Sequence, residues 1–183
     1  MPMSIRKGGD YKPCDEGTHP AICEWCIEMG LQPPSSPKYR AQPKVYLSFV
    51  LPTTERADGA PFSLGRTYTL SLNDKAALTP AVKAMLGAVP DELESCEVLL
   101  GKTCLVTVEH RERSDGRVVA DIAAVAPLPK GMEVPEVVID PVYYDFHEND
   151  QKVYNRLPEW LRERIEKALD IPEEDEDVPP SIR

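Results

Sequence analysis

The chain has 183 residues, and its 31 acidic and 21 basic side chains give a net charge of −10 at neutral pH. A hydrophobic content of 42% and a charged content of 28% are typical of soluble globular domains and exclude a wholly disordered chain. No apolar run approaches the roughly 20 residues of a membrane-spanning helix, and the N-terminus lacks the apolar core of a secretion signal. Five cysteines without framework spacing indicate reduced thiols, so we expect a cytoplasmic protein without membrane contact.

The negative charge is concentrated in the last third of the chain. Residues 1–132 carry 15 basic and 16 acidic side chains, whereas residues 133–183 carry 6 basic and 15 acidic ones. The first two thirds are therefore nearly neutral, and the overall charge does not exclude an anionic partner.

Period-two alternation of apolar residues predicts three strands in the first part of the chain, at 19–31, 43–52 and 63–72. Between the first two, the four prolines of 32–43 lack the N–H donors that a sheet requires. In the first strand, one face would carry apolar side chains and a thiol, namely Ala21, Cys23, Trp25, Ile27 and Met29. Cys26 would then lie on the opposite face.

The period changes at 73–100, where apolar residues at three- and four-residue spacing predict one or two helical pieces, with Asn73 or Asp74 as the N-cap. Strands four and five follow in TCLVTVEH and RVVADIAAVAPL, joined by a hairpin turn at Asp115-Gly116. A helix is predicted at 157–170. Residues 171–183 are too acidic and proline-rich to fold.

Three strands, a helix and two strands are the element order of a mainly β fold. It predicts a closed five-stranded OB-fold-like Greek-key barrel with a helix between strands three and four, plus a C-terminal helix and an acidic tail. A two-layer α+β sandwich has the same order and remains the alternative. The predicted divisions are a flexible segment (1–16), the OB-fold-like domain (17–132), an extended segment with a helix packed on the domain (133–170) and a disordered acidic tail (171–183).

Several stretches resemble a group of bacteriophage proteins described as single-stranded-DNA-binding or replication proteins with an OB-fold. These stretches are KVYLSFVLP, GRTYTLSLNDKAAL, GKTCLVTVEH, ADIAAVAPLPKG and LPEWLRERI, within about residues 17 to 167. The resemblance implies binding of single-stranded DNA without sequence preference in phage replication or recombination, in the host cytoplasm. It implies no individual binding residue, and CEWC at 23–26 departs from it.

Basic and aromatic residues fall where an OB-fold binds nucleic acid, on strands two and three and in the loops after strands one and four. Single-stranded DNA requires cations for its phosphates and flat rings for its bases. The predicted nucleic-acid-binding residues are Lys38, Tyr39, Arg40, Lys44, Tyr46, Arg66, Tyr68, Arg111, Arg113 and Arg117. The alternative interpretation is that the arginines are solubilising and the tyrosines are ordinary strand residues. Tyr68 shares its face with Leu70 and Leu72, which also suits a core position.

The four residues Cys14, His19, Cys23 and Cys26 suggest a zinc site by their types alone. Because positions three apart on a strand face opposite sides, Cys23 and Cys26 could share a metal only across a bulge, and we predict no metal. Cys96 and Cys104 are expected to be buried small hydrophobes.

An acid–base or metal cluster is also conceivable at 145–150, which contains Asp145, His147, Glu148 and Asp150. We interpret it as a solvated turn, because no partner motif exists elsewhere. The chain has no glycine-rich phosphate loop, nucleophile elbow or paired-carboxylate motif. We therefore predict neither enzymatic activity nor a cofactor.

The acidic run PEEDEDVPP suggests two further roles besides solubility. It could lie in the protein's own DNA groove, or dock onto replication or recombination proteins. A separate hypothesis is a protein-interaction module whose acidic C-terminal segment engages a basic partner such as a host DNA-binding protein.

Overall fold

The computed structural model describes residues 12–169. Its strands are β1 (Gly17–Gln32), β2 (Gln42–Leu51), β3 (Phe62–Thr69), β4 (Thr103–Glu112), β5 (Val118–Ala126) and β6 (Val142–Tyr144). Its helices are α1 (Leu78–Leu86), α2 (Gln151–Tyr154) and α3 (Glu159–Glu166), with a 3-10 turn at Cys96–Leu99. The five predicted strands are all present, and α1 lies between β3 and β4 as expected. The mainly β fold is confirmed.

The strands form one sheet in the order β3-β2-β1-β4-β5, and these neighbours are all antiparallel. The long β1 joins the two halves, because residues 17–22 pair with β4 and residues 22–32 pair with β2. The predicted closure of the barrel is wrong: within residues 12–169 no backbone ladder joins β3 to β5. Instead, the guanidinium of Arg66 spans the gap and donates to the carbonyls of Ile122 and Ala123, at 3.5 and 3.4 Å. A side chain thus occupies carbonyls that a neighbouring strand would need.

A β-bulge in β1 overturns the alternation predicted for CEWC. The register with β2 shifts between Cys23 and Trp25, so Cys23 and Cys26 both point inward, with their Sγ atoms 3.8 Å apart. The hydrogen bond between the two thiols and their burial raise the pKa of Cys26, which keeps that thiol neutral. In the described part of the chain, no three metal-ligating side chains come together.

The inner core fills the space between the sheet and α1. It contains Val45, Leu47, Phe49, Tyr68, Leu78, Val82, Cys96, Cys104 and Val106, among other buried side chains. Cys96 and Cys104 are buried here, as expected. The predicted N-cap is wrong, since α1 begins after Ala77 and Asn73 instead accepts the N–H of Lys75. The helix ends at Gly87, whose positive φ of 85° lets its N–H return to the Lys83 carbonyl.

The outer core lies on the opposite face of β1; a C-terminal helix packed on the domain was expected, but the face that it covers was not. It contains Ile27, Met29, Val142, Tyr144, Phe146, Leu157, Leu161 and Ile165. The unpredicted β6 pairs in parallel with Trp25–Ile27, where β4 no longer runs beside β1. Leu161 and Ile165, four residues apart on α3, are buried together with Leu157 just before the helix, so one face of α3 packs on the sheet.

The candidate cluster at 145–150 forms a turn, as interpreted. Asp145 accepts the backbone N–H groups of His147 and Glu148, while Asp150 accepts those of Lys152 and Val153 at the start of α2. These carboxylates are therefore engaged in capping the backbone.

The first described residues pack against β4. At the end of the segment predicted to be flexible (1–16), Cys14 is only 1% exposed, and its carbonyl and Glu16 both bond His110 of β4. Residues 1–11 and the predicted acidic tail (171–183, with Asp170) lie outside the described residues. No helix within 12–169 combines the length and the hydropathy needed to cross a bilayer.

Candidate nucleic-acid interface

Two adjoining depressions lie along β2 and β3, and we call them together the cationic groove. Their volumes are about 430 and 410 Å³, in the range of clefts that hold ligands. They share Gln42, Lys44 and Thr67, so they form one continuous surface. The remaining lining residues include Gln32, Pro33, Pro34, Ser35, Tyr39, Arg40, Arg66, Thr69, Ser71, Asn73, Lys75 and Arg164.

The charge of this groove has one sign only. Five of its lining residues are cationic: Arg40, Lys44, Arg66, Lys75 and Arg164. No aspartate or glutamate of residues 12–169 lines either depression, and none of the five cations forms an ion pair with another described residue. In a molecule of net charge −10, such a surface is a local reversal of sign that attracts anions.

Lys44 sits at the centre of the groove, on β2. Its ammonium donates to the Thr69 hydroxyl at 2.7 Å and to the Gln42 side-chain carbonyl at 3.3 Å, so its position is fixed by neutral groups. Burial lowers the pKa of Lys44, and the nearby guanidinium of Arg164 lowers it further. A phosphate placed between these two cations would relieve their repulsion.

Arg66 of β3 forms the side of the groove toward β5. Its guanidinium lies 5.0 Å from the ring centre of Tyr68 and donates to two β5 carbonyls, as described above. Tyr68 borders the groove, but its ring is in the inner core and only 2% exposed. The prediction that Tyr68 offers a surface for bases is therefore wrong; its inward register also suits its pairing with Val45.

Tyr46 faces outward, in the register predicted for β2, but it is largely covered. Its phenol end lies across Gly65 of β3, and its ring meets Trp160 of α3 edge to face, with centroids 5.1 Å apart. Burial raises the pKa of Tyr46. The exposed aromatic ring at this position is that of Trp160, which is 45% exposed and was not among the predicted binding residues.

Helix α3 is held against the end of β1 by hydrogen bonds as well as by the outer core. The buried amide of Gln32 donates to the carbonyls of Met29 and Arg164, at 2.7 and 2.8 Å, and the N–H of Leu169 donates to Leu31 at 2.8 Å. These contacts place Arg164 at the groove. Trp160 lies one turn earlier on the same side of the helix.

The loop after β1 supplies the other end of the groove. Tyr39, 67% exposed, and Arg40 both line it, whereas Lys38 is exposed without lining it. A turn closed by the bond from the Tyr39 N–H to the Ser36 carbonyl, at 3.0 Å, presents these side chains. Two of the three predicted loop residues therefore belong to the groove.

The hairpin arginines do not line the groove. Arg111 forms an ion pair with Asp121 at 2.5 Å, and Arg117 contacts Asp115 at 3.8 Å. Arg113 is exposed, and its backbone closes the hairpin by bonding the Arg117 carbonyl. Because Glu109 and Glu112 also lie on this hairpin, its charge is close to balanced.

Two groove-lining residues, Lys75 and Arg164, were missed, as was the exposed Trp160 beside the groove. The four-residue spacing of Leu157, Leu161 and Ile165 could have shown that Trp160 and Arg164 share one flank of the predicted helix. Nothing in the sequence indicated that this helix returns to β2. Compared with known proteins, the chain matches no family model, and no curated protein is similar enough to count as a match.

Proposed function

We propose that the protein binds single-stranded DNA along the cationic groove, without sequence preference, as the resemblance to phage single-stranded-DNA-binding or replication proteins implies. The observation that carries this proposal is the set of five cations that line a groove without an acidic lining residue of the described chain, beside the exposed rings of Tyr39 and Trp160. Cations neutralise phosphates, and exposed rings stack on bases that a duplex would hide.

We further propose that the domain is an OB-fold in its partly open form. The strand order β3-β2-β1-β4-β5 and the helix between β3 and β4 support this assignment. In such folds the face of strands two and three and the loop after strand one bind oligonucleotides, and the cationic groove lies on these elements.

Binding without sequence preference is supported by the hydrogen bonds inside the groove. Gln42, Lys44 and Thr69 bond to one another, which occupies groups that would otherwise read base edges. The cations and exposed rings at the groove make contacts that every nucleotide can satisfy.

The test compares two triple variants with the same change of charge. One replaces the groove cations Arg40, Lys75 and Arg164 with Gln; the other replaces Arg111, Arg113 and Arg117 with Gln. Both lower the net charge from −10 to −13, and all six side chains are exposed. The measurement is fluorescence anisotropy of labelled oligo-dT and of a labelled duplex over a range of salt concentrations.

Each phosphate contact contributes roughly −0.7 to the log–log salt slope of single-strand binding, so five contacts give about −3.5. We expect the groove variant to flatten that slope by about 2 and the hairpin variant to leave it nearly unchanged. Absence of wild-type binding at low salt would refute the function. Equal losses in both variants, or equal affinity for duplex, would indicate generic charge attraction.

A further inference from the structure

Trp160 is half-exposed although it stands at the junction of α3 and the sheet. Its ring rests on Tyr46 at an interplanar angle of 80°, so one ring meets the other by its edge. Tyr46 in turn lies on Gly65, where a β-carbon would come within 1.9 Å of the phenol oxygen. The absence of a side chain at Gly65 therefore leaves room for Tyr46, which in turn contacts Trp160 edge to face.

The ring pair of Tyr46 and Trp160 adjoins the cationic groove through two elements, β3 and α3. Tyr46 pairs across the sheet with Thr67, which lines both depressions. On α3, Trp160 precedes the groove residue Arg164 by four positions, a spacing that brings side chains within about 5–6 Å between β-carbons. A cation and an open ring at that separation suit the phosphate and the base of neighbouring nucleotides.

We propose that Trp160 is a base-stacking residue, so that α3 forms one wall of the binding site beside the sheet. This inference rests on the proposed function, because it names a contact that the bound strand makes. The proposed site is composite, because β2 and β3 supply Lys44 and Arg66, while the C-terminal helix supplies Arg164 and Trp160. The ligand part recognised at Trp160 is the flat face of a nucleobase.

The chain offers a direct optical test, because it contains only two tryptophans, Trp25 and Trp160. The variant Trp25→Phe leaves Trp160 as the sole tryptophan emitter, and Trp160→Phe leaves Trp25, which is partly buried against the outer core. Titration with unlabelled oligo-dT should quench the emission of Trp25→Phe in parallel with binding. The emission of Trp160→Phe should change little.

Affinity supplies the second readout. Trp160→Ala should weaken oligo-dT binding by roughly 5- to 150-fold while leaving the salt slope unchanged, because stacking releases no counterions. Trp160→Phe keeps a ring and should retain most of the affinity. A purely structural role for Trp160 would instead lower the melting temperature without quenching on DNA addition.

The outcomes separate this inference from the proposed function. If the wild type binds oligo-dT by anisotropy but Trp25→Phe is not quenched, stacking on Trp160 is refuted and the function stands. If Trp25→Phe folds poorly, the difference in quenching between wild type and Trp160→Phe gives the same decision. If the wild type does not bind at all, the proposed function fails and this inference fails with it.

Discussion

Tyr68 combines a buried ring with a hydroxyl that has no hydrogen-bond partner among the described residues. Burial raises its pKa to about 12, so the phenol stays neutral. The ring contributes apolar area to the inner core and a surface for the Arg66 guanidinium. Only the hydroxyl lowers the stability of the folded state, because a buried unpaired hydroxyl loses its hydrogen bonds to water.

Tyr68→Phe therefore isolates that cost. We expect the free energy of unfolding to stay the same or to rise by about 1 kcal/mol, since the ring and its contact with Arg66 are retained. Urea denaturation followed by circular dichroism measures it, and oligo-dT affinity should not change. A loss of more than about 1 kcal/mol would mean that the hydroxyl bonds an ordered water.

At the scale of elements, the pairing of β2 with β3 depends on a glycine at position 65. Gly65→Ala would place a β-carbon 1.9 Å from the Tyr46 hydroxyl oxygen, so Tyr46 and the Trp160 ring above it must move. We expect a loss of about 1–3 kcal/mol in unfolding free energy, typical of overpacking, and weaker oligo-dT binding. Thermal denaturation and anisotropy measure the two effects.

A double-mutant cycle provides the control for Gly65→Ala. If the clash with Tyr46 causes the loss, the substitution should cost little in a Tyr46→Ala background, because the clashing atoms are gone. An equal cost in both backgrounds would place the cause in the β3 backbone instead.

The strands were predictable because each shows period-two alternation between Pro or Gly boundaries. The bulge at Cys23 was not predictable, because one extra residue in a strand changes which side chains face inward and leaves no mark in the composition of the strand. The short β6 was missed for another reason. Its three residues have too little pattern of their own, and it is stabilised by pairing with β1.

The candidate site was predictable from the sequence where it lies on the sheet and its first loop, at Tyr39, Arg40, Lys44 and Arg66. The hairpin arginines lie apart from the groove, and counting cations along a sequence ignores carboxylates on the neighbouring strand, such as Asp121, which pairs with Glu109 and reaches Arg111 diagonally. Trp160 and Arg164 depend on long-range packing of α3, which local pattern does not encode.

At the scale of the whole molecule, the attraction of an anion depends more on the sign and position of nearby charges than on the net charge. The last third of the chain carries most of the net negative charge, yet it also contributes Arg164 to the groove. A strongly negative protein would repel DNA at a distance, so binding requires a local field of opposite sign. The acidic segment that begins at Asp170 continues directly from Leu169, whose N–H bonds Leu31 beside the groove residue Gln32.

If the groove binds DNA as proposed, we expect the acidic segment to compete with DNA for it. Deleting residues 171–183 removes the five acids from Glu173 to Asp177 and Arg183, a change of +4 in net charge. A tethered polyanion has an effective concentration of order millimolar near its own binding surface, so we expect the truncated protein to bind oligo-dT more tightly. Anisotropy titrations of both forms at several salt concentrations measure the gain.

The salt dependence of that gain distinguishes competition from a mere change in net charge. Screening, with a Debye length near 10 Å at 0.1 M salt, weakens the contact between segment and groove, so the gain should shrink as salt rises. The matched control is the groove variant of Arg40, Lys75 and Arg164: with three of the five groove cations removed, truncation should gain less. Equal gains in the wild-type and groove-variant backgrounds would show that the segment acts through overall charge and does not occupy the groove.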